Sequence, residues 1–364
     1  MSLMSQGDEL SAIRTRIDAI DDSIMQLISE RAQCAQAVAT IKRAQDPQAD
    51  FYRPEREAQV LRRIQSQNPG PLPSEEMTRL FREIMSACLA LEKPLLIAFL
   101  GPEGTFTQAA ALKHFGHSVK TQALSAIDEV FREVESGSAH YGVVPIENST
   151  EGMVTHTLDM FMLSPLKICG EVQLRIHHHL LSNETDLRQI KRIYSHQQSL
   201  AQCREWLDAN LSQAERMTCS SNAEAARRAA TEPGTGAIAG ETAAELYGLQ
   251  MQRRNIEDHP ENTTRFLIIG ATQFPSSGQD KTSLLISSPN RPGLLYDLLA
   301  PLAHNGISMT RLESRPSRRA NWEYVFFIDC EGHQDEARVQ KALNSLRHEA
   351  ELVRVLGSYP RAVL

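Results

Sequence analysis

The sequence predicts a multidomain protein of three unlike parts: an all-helical segment, an α/β segment and an α+β segment of ferredoxin-like order. Three observations predict it. Apolar residues recur at helical spacing without interruption over residues 8–92. From Leu95 to about Thr272 short apolar runs alternate with helical stretches. After a polar stretch, the last eighty or so residues read β-α-β-β-α-β.

In the first part, Leu10, Ile13, Ile17, Ile20, Ile24, Leu27, Arg31, Cys34, Val38 and Ile41 follow one another at spacings of three and four. That is the seam of a single long helix. A second helix begins at Pro54, a residue suited to the first helical turn. A third runs from an expected Ser74 N-cap, with Glu75 and Glu76 in its first turn and Met77, Leu80, Phe81, Ile84, Cys88 and Leu91 on its apolar face. Lys93-Pro94 ends it, because the residue before proline is pushed out of the α region. In the second part LLIAFLG, YGVVPIE, IKRIYS and GAIAG read as strands. TFTQAAALKHF, LAQCREWLDAN and ETAAELYG read as helices. QFPSSGQDK (273–281) is a linker rich in Pro, Gly and Ser. TSLLISS, LLYDLLAPLAHNG, SMTRLESRP, EYVFFIDCEG, ARVQKALNSLRHEA and VRVLGSYP complete the third part.

The chain has 364 residues and a net charge of −7. No basic arm or patch points to nucleic acid. No apolar run reaches the ~20 residues a membrane helix needs, and no basic-then-apolar leader opens the sequence. Six scattered cysteines without a CxxC pair fit reduced thiols in a cytoplasm rather than a zinc site or a disulfide framework. Three adjacent histidines, His177, His178 and His179, resemble a metal cluster, but neighbours on a strand point to opposite faces. With no Asp, Glu or Cys at ligand spacing, a structural role is expected for them, and no metal. GTGAIAG (234–240) mimics a dinucleotide fingerprint, but AEAARRAATEP before it reads as helix, so no nucleotide cofactor is expected.

The charges in the helical part are the first chemical signal. Arg31 occupies a seam position, where a lone cation is costly unless paired. Arg31 and Lys42 lie about 16 Å apart along one helix and close to three whole turns, so they share a face and could converge on one small dianion, although stray basic residues on a long amphipathic helix are more often solvated flanks of a seam. Arg14 lies about 42 Å from Lys42 on the same rise. It serves that ligand only if a second chain packs antiparallel, which predicts a dimer with shared sites. Glu92 follows Cys88 by four residues on the same face of the third helix.

The second signal is ENTTRFLIIG (261–270). Phe266-Leu267-Ile268-Ile269 reads as a short buried strand, which sets Thr263, Thr264 and Arg265 at its edge. GPEGT (101–105) follows an apolar run and opens a helix, so its amides suit a carboxylate. Asn148, Ser149 and Thr150 follow the strand YGVVPIE as helix caps or ligands for a polar substrate. In the third part, Pro292-Gly293-Leu294 offers backbone amides near a helix N-terminus.

Through LxxIRxxID, ER, Lys42, EREAxVL and the third helix, residues 8–92 resemble the all-helical chorismate mutase family. The resemblance implies that Arg31 and Arg14 of the partner subunit bind the two carboxylates of chorismate. Lys42 would hydrogen-bond the ether oxygen, Glu57 would hold the ring hydroxyl, and Arg56 would orient Glu57. Arg53, Cys88 and Glu92 stand where the best-known bacterial pattern has Asp, Ser and Gln, and are expected to line the same site. A Claisen rearrangement needs a held conformer and stabilised charge on the ether oxygen. Glu92 supplies the latter only if protonated, through desolvation and the nearness of Glu57.

GPEGTFTQAA, VVPIENSTEG, YSHQQSLAQC, GAIAGETAAELYG and NTTRF, over about 95–272, resemble prephenate dehydratase. The resemblance implies two α/β lobes around a cleft, as in type II periplasmic binding proteins. Thr264 becomes the essential threonine and Arg265 its anion-holding neighbour, with Asn148, Ser149 and Thr150 on the substrate. Thr263 is expected to face the other way. NRPGLLYDLL and SMTRLESRP resemble the ACT family of amino-acid sensors. GLLY at 293–296 stands where that family usually has GALV. Gly293, Leu294, Asn305, Glu313 and Ser314 would bind phenylalanine at a dimer interface. The domains expected are 1–93, 94–272 and 281–364. The function expected is conversion of chorismate through prephenate to phenylpyruvate, inhibited by L-phenylalanine, in a cytoplasmic homodimer or tetramer without cofactor.

Overall fold

In the computed structural model the described residues are 6–46, 51–316 and 323–363. Residues 1–5 and 364, at the outer ends of the first and third expected domains, lie outside them. Helix α1 (Gln6–Gln45) runs for 40 residues, α2 (Pro54–Gln67) starts on its proline, and α3 (Ser74–Glu92) lies against both. The N-cap of α3 is Pro73 rather than Ser74. The Ser74 hydroxyl instead accepts from the Asn68 side-chain amide at 3.3 Å.

The apolar seam of α1 is present but uncovered within one chain. Ile13 is 58% exposed and Ile41 60% exposed, and Leu10, Ile17, Ile20, Ile24 and Leu27 are exposed too. Side chains of this kind in a row, left uncovered by the described residues, mark an interaction face. On α3 the buried side chains are Thr78, Arg82, Ser86 and Cys88, whereas Leu80 and Leu91 of the expected apolar face are exposed. The polar stripe at i, i+4 and i+8 is turned inward because α3 rests on the α/β part. Arg82 donates to the Lys113 carbonyl at 2.8 Å. Helix α2 is anchored likewise: Arg62 reaches the Ser277 hydroxyl at 3.0 Å and the Gln279 carbonyl at 2.8 Å.

The α/β part has two sheets. In the first the order is Lys120–Leu124, Leu96–Leu100, Tyr141–Asn148, Thr263–Gly270, Lys167–Arg175, with Thr263–Gly270 antiparallel to both neighbours. In the second it is Gln250–Arg253, His179–Ser182, Thr235–Ala239, Arg192–His196, Glu215–Cys219. The chain leaves the first lobe after Arg175 and returns at Thr263. The two crossing segments lie side by side, the Ile176 amide donating to the Asn262 carbonyl at 2.8 Å. The stretch expected as one helix, LAQCREWLDAN, is two, Gln197–Gln202 and Arg204–Asn210, interrupted at Cys203. Thr235–Ala239 is itself a strand of the second sheet.

The C-terminal part has the expected βαββαβ order. Its sheet runs Met309–Pro316, Glu323–Glu331, Asp280–Pro289, Leu352–Pro360, all antiparallel. Helices Leu294–His304 and Ala337–Glu349 cover one face, in a core with Leu284, Ile286, Phe326 and Ile328. The other face is covered by the first lobe: Leu285, Val325, Phe327, Leu356 and Tyr359 share one core with Ala98, Phe131, Phe161 and Leu267. The approach is close enough that a Cβ at Gly357 would overlap the Ile168 carbonyl oxygen. The linker is an ordered turn, in which Asp280 accepts from the Ser277 amide at 2.9 Å and the Ser276 hydroxyl at 2.6 Å. Among the described residues no helix is long and apolar enough to cross a membrane.

Candidate functional site

The cations of α1 meet the end of α3. Lys42 and Arg43 lie over the Phe51 ring, 5.5 and 5.2 Å from its centroid, and the Arg43 guanidinium donates to the Glu92 carbonyl oxygen. Burial raises the Glu92 pKa, and Lys42, Arg43 and Arg31 oppose that rise in turn. The expected contribution of Glu57 to that rise is absent, because Glu57 is elsewhere. Cys88 is buried one turn before Glu92. Arg53 is exposed, holds Glu55 at 2.5 Å, and shares a groove with Lys42 and residues 272–275.

Glu57 does not join this cluster. It lies on the face of α2 turned to the α/β part, with Arg82 Nε 3.5 Å from its carboxylate. Burial raises its pKa and Arg82 lowers it. Arg56 is exposed, so Arg82 is the guanidinium that orients Glu57. Arg14 is also exposed, about 25 Å along α1 from Arg31.

Between the two lobes lies a cavity of about 290 Å³ lined by Thr264, Asn148, Asn262, Gln202, His178 and Asn222, among others. The start of the helix Phe106–Phe115 also opens on it, through Gly104 and Thr105. Thr264 comes to this place because it is the second residue of the strand that returns from the second lobe. Asn148 ends the neighbouring strand and pairs with Thr264 in register. The Asn148 side-chain oxygen accepts from the backbone amides of Thr150 and Glu151, at 3.0 and 3.1 Å. Its amino group is therefore turned to Thr264 Oγ1 at 2.8 Å and to the Asn262 side-chain oxygen at 2.9 Å. Thr264 accepts from Asn148, so its own hydroxyl hydrogen is left for the cleft.

Ser149 and Thr150 do not line the cavity. Ser149 staples the turn to the strand, its hydroxyl accepting from the Thr263 amide at 2.9 Å, and Thr150 supplies its backbone amide to Asn148. Arg265 is not in the cleft either. Successive strand residues point to opposite faces, so the parity that places Thr264 inward turns Arg265 outward with Thr263. The Arg265 guanidinium meets Glu171 at 2.9 Å, Asp329 at 2.6 Å and the Tyr359 hydroxyl at 3.0 Å, all buried. Lys281 reaches Glu171 at 2.8 Å. Burial alone would raise the Asp329 carboxyl, but Arg265 and the Ser283 hydroxyl hold it below its ordinary value. Arg265 thus ties the first lobe to the C-terminal sheet.

The three histidines part company. His177 Nδ1 meets Glu257 at 2.7 Å, His178 Nε2 meets Gln202 at 2.8 Å, and His179 Nδ1 accepts from the Asn255 amide at 3.1 Å. Of these, His178 lines the cleft. Among the described residues no group of three His, Cys, Asp or Glu is arranged to hold a metal.

In the C-terminal part Gly293 caps the helix Leu294–His304 with φ 82°, and Asn305 closes it by donating to the Pro301 carbonyl at 2.8 Å. The ends of that helix are about 16 Å apart, so Gly293 and Asn305 of one chain do not grip the same small ligand. Glu313 and Ser314 lie on the edge strand Met309–Pro316. Their neighbour Arg315 pairs with Asp159 of the first lobe at 3.1 Å.

A cleft of carboxamides and hydroxyls between two lobes, a separate cation cluster on helices, and a ferredoxin-like sheet define a multidomain enzyme of small-molecule metabolism. Residues 13–93 match the family Chorismate mutase type II, 97–273 match Prephenate dehydratase, and 282–348 match the ACT domain. A bifunctional chorismate mutase/prephenate dehydratase of Stutzerimonas stutzeri is 59% identical over 99% of this chain and all of its own length. A prephenate dehydratase of Arthrobacter aurescens, solved in complex with L-Phe, is 35% identical, with a TM-score of 0.68 over 74% of this chain and 90% of that one. A protein described as GqqA, a novel type of quorum quenching acylase, is 31% identical, with the same TM-score over 74% of this chain and 98% of that one. The chain belongs to the bifunctional chorismate mutase/prephenate dehydratase family.

Proposed function

We propose that the chain rearranges chorismate to prephenate at the helical cluster and converts prephenate to phenylpyruvate in the cleft, under inhibition by L-phenylalanine at the C-terminal domain. The observation that carries the reading is the locked Asn148 amide, which leaves the Thr264 hydroxyl as a hydrogen-bond donor facing the cavity. In prephenate the ring carboxylate leaves as CO2, and its bonding pair becomes part of the ring. The C4–O bond breaks, and the hydroxyl departs as water with one proton drawn from solvent. A threonine hydroxyl is too weak an acid to supply that proton outright. It stabilises the departing oxygen, and aromatisation drives the step. Acyl transfer is disfavoured here, because the Thr264, Ser149 and Ser199 hydroxyls meet carboxamides rather than an imidazole base.

At the helical site Arg31, Lys42 and Glu92 come from one chain, with Cys88 and Arg53 beside them. The bare stripe of α1 supports antiparallel pairing with a second copy, which brings Arg14 of the partner subunit to the site. Dimerisation likewise would bring Asn305, Glu313 and Ser314 of one copy towards Gly293 and Leu294 of another, to enclose the amino acid. Domain limits of 1–93, 94–272 and 281–364 and a cytoplasmic setting fit the same reading.

The test is a coupled assay: purified protein given chorismate alone is expected to release phenylpyruvate, and L-phenylalanine to suppress it. Unchanged chorismate and prephenate would end the proposal. The mutase step carries its own signature. Burial raises the Glu92 pKa, so its protonated, donating form is lost as pH rises through that value. Mutase kcat is expected to fall towards alkaline pH in the native chain, and Glu92→Gln is expected to flatten the profile. A flat profile in the native chain would remove Glu92 from the mechanism.

A further inference from the structure

The hydrogen bonds around Thr264 extend well beyond it, and their directions can be read in sequence. The Asn148 oxygen is taken up by two backbone amides, so its nitrogen faces Asn262. Asn262 therefore presents its oxygen to Asn148 and its nitrogen to Gln202 Oε1, at 3.1 Å. Gln202 Oε1, already an acceptor, lies 2.8 Å from His178 Nε2. Only a protonated Nε2 makes that contact favourable. The four residues come from the first lobe, the second lobe and both crossing segments, so the chain of bonds spans the hinge.

We propose that His178, acting as the neutral Nε2–H tautomer, is a positioning residue that anchors this amide chain and so presets the Thr264 hydroxyl as a donor to the substrate. The proposal rests on the dehydratase reading of the cleft. The surroundings of His178 agree with it. His178 is 2% exposed and its ring meets Phe106 edge-on at 5.6 Å, and among the described residues its Nδ1 is buried without a hydrogen-bond partner. A proton at Nδ1 would have no acceptor, so the cation is disfavoured. Burial lowers the pKa of His178; the Gln202 bond and the nearby Glu257 charge oppose that, and His177 adds to it. Gln202 placed the other way round would set its amino group against the Asn262 amino group, and the chain would lose its direction.

The experiment compares His178→Leu with His178→Gln in the full-length chain. Glutamine places an N–H donor at about the reach of Nε2; leucine has none. His178→Leu is expected to lower dehydratase kcat at least tenfold with KM for prephenate little changed, and His178→Gln to recover most of it. Leucine at native kcat, or glutamine as poor as leucine, overturns the proposal. Nitrogen NMR on histidine-labelled native protein gives a readout independent of turnover and of how the variants fold. It is expected to show His178 protonated at Nε2 alone at the pH of the kinetic assay; the Nδ1–H tautomer overturns the proposal. A native chain inert towards prephenate would instead refute the dehydratase reading, whichever tautomer is found.

Discussion

Replacing Thr264 by alanine lowers dehydratase kcat by about a hundredfold to a thousandfold, the loss expected when a preorganised donor to a developing oxygen charge is removed. The KM for prephenate changes little, because the lost hydrogen bond strengthens mainly as the C4–O bond breaks. Mutase turnover is unaffected, since Thr264 lies in the cleft while Lys42 and Glu92 lie at the ends of α1 and α3. Thr264→Ser keeps a hydroxyl beside Asn148 and retains much of the activity. Steady-state kinetics on prephenate and on chorismate check all three statements. Native dehydratase kcat in Thr264→Ala would remove Thr264 from the reaction.

Replacing Arg265 by leucine destabilises the chain by about 3–5 kcal/mol, the usual cost of leaving buried carboxylates without their cation. Glu171 keeps Lys281, but Asp329 is left with the Ser283 hydroxyl at 2.5 Å as its remaining strong partner. The pH dependence separates this from a general packing defect. In the native chain Asp329 has a lowered pKa, so its contribution is present above the unfolded value and is lost on acidification. In Arg265→Leu only the Ser283 hydroxyl and the Arg311 charge remain to oppose burial, so the carboxyl's pKa is expected to rise relative to native and its unfavourable effect to grow as pH rises. The native protein is therefore expected to lose stability, and the variant to gain it relative to native, as pH falls through the carboxylate range. Urea unfolding midpoints at several pH values check this. A variant of native stability with a raised KM for prephenate would return Arg265 to the substrate.

The contrast between these neighbours shows what the sequence makes legible. Thr264 stands out because a hydroxyl precedes an apolar run at a strand edge. The same alternation that sets Thr263 outward also sets Arg265 outward, so the expected place of Arg265 on the substrate runs against the strand's own parity. The helices were legible from local spacing, Pro54 and Lys93-Pro94. The partner of Glu57 was not, because Arg82 lies 25 residues on and meets it through tertiary packing. A signal did exist: Thr78, Arg82 and Ser86 repeat at helical spacing, and a polar stripe of that kind on a helix invites the question of what it faces. Asn262, Gln202 and His178 carried no such mark. They come together only because the chain crosses twice between lobes; the sequence marks the adjacent histidines as structural rather than metal-binding, but not that the middle one meets a carboxamide.

The core shared by the C-terminal sheet and the first lobe limits how the chain can be cut. Leu285, Val325, Phe327, Leu356 and Tyr359 rest on the lobe that carries Thr264, with Gly357 against its backbone. A shortened protein ending near residue 272 would present a broad greasy surface to water and lose the carboxylate that grips Arg265 from across the boundary. Sensor and catalyst share one core in this respect, so trimming away the one would lay bare the buried face of the other.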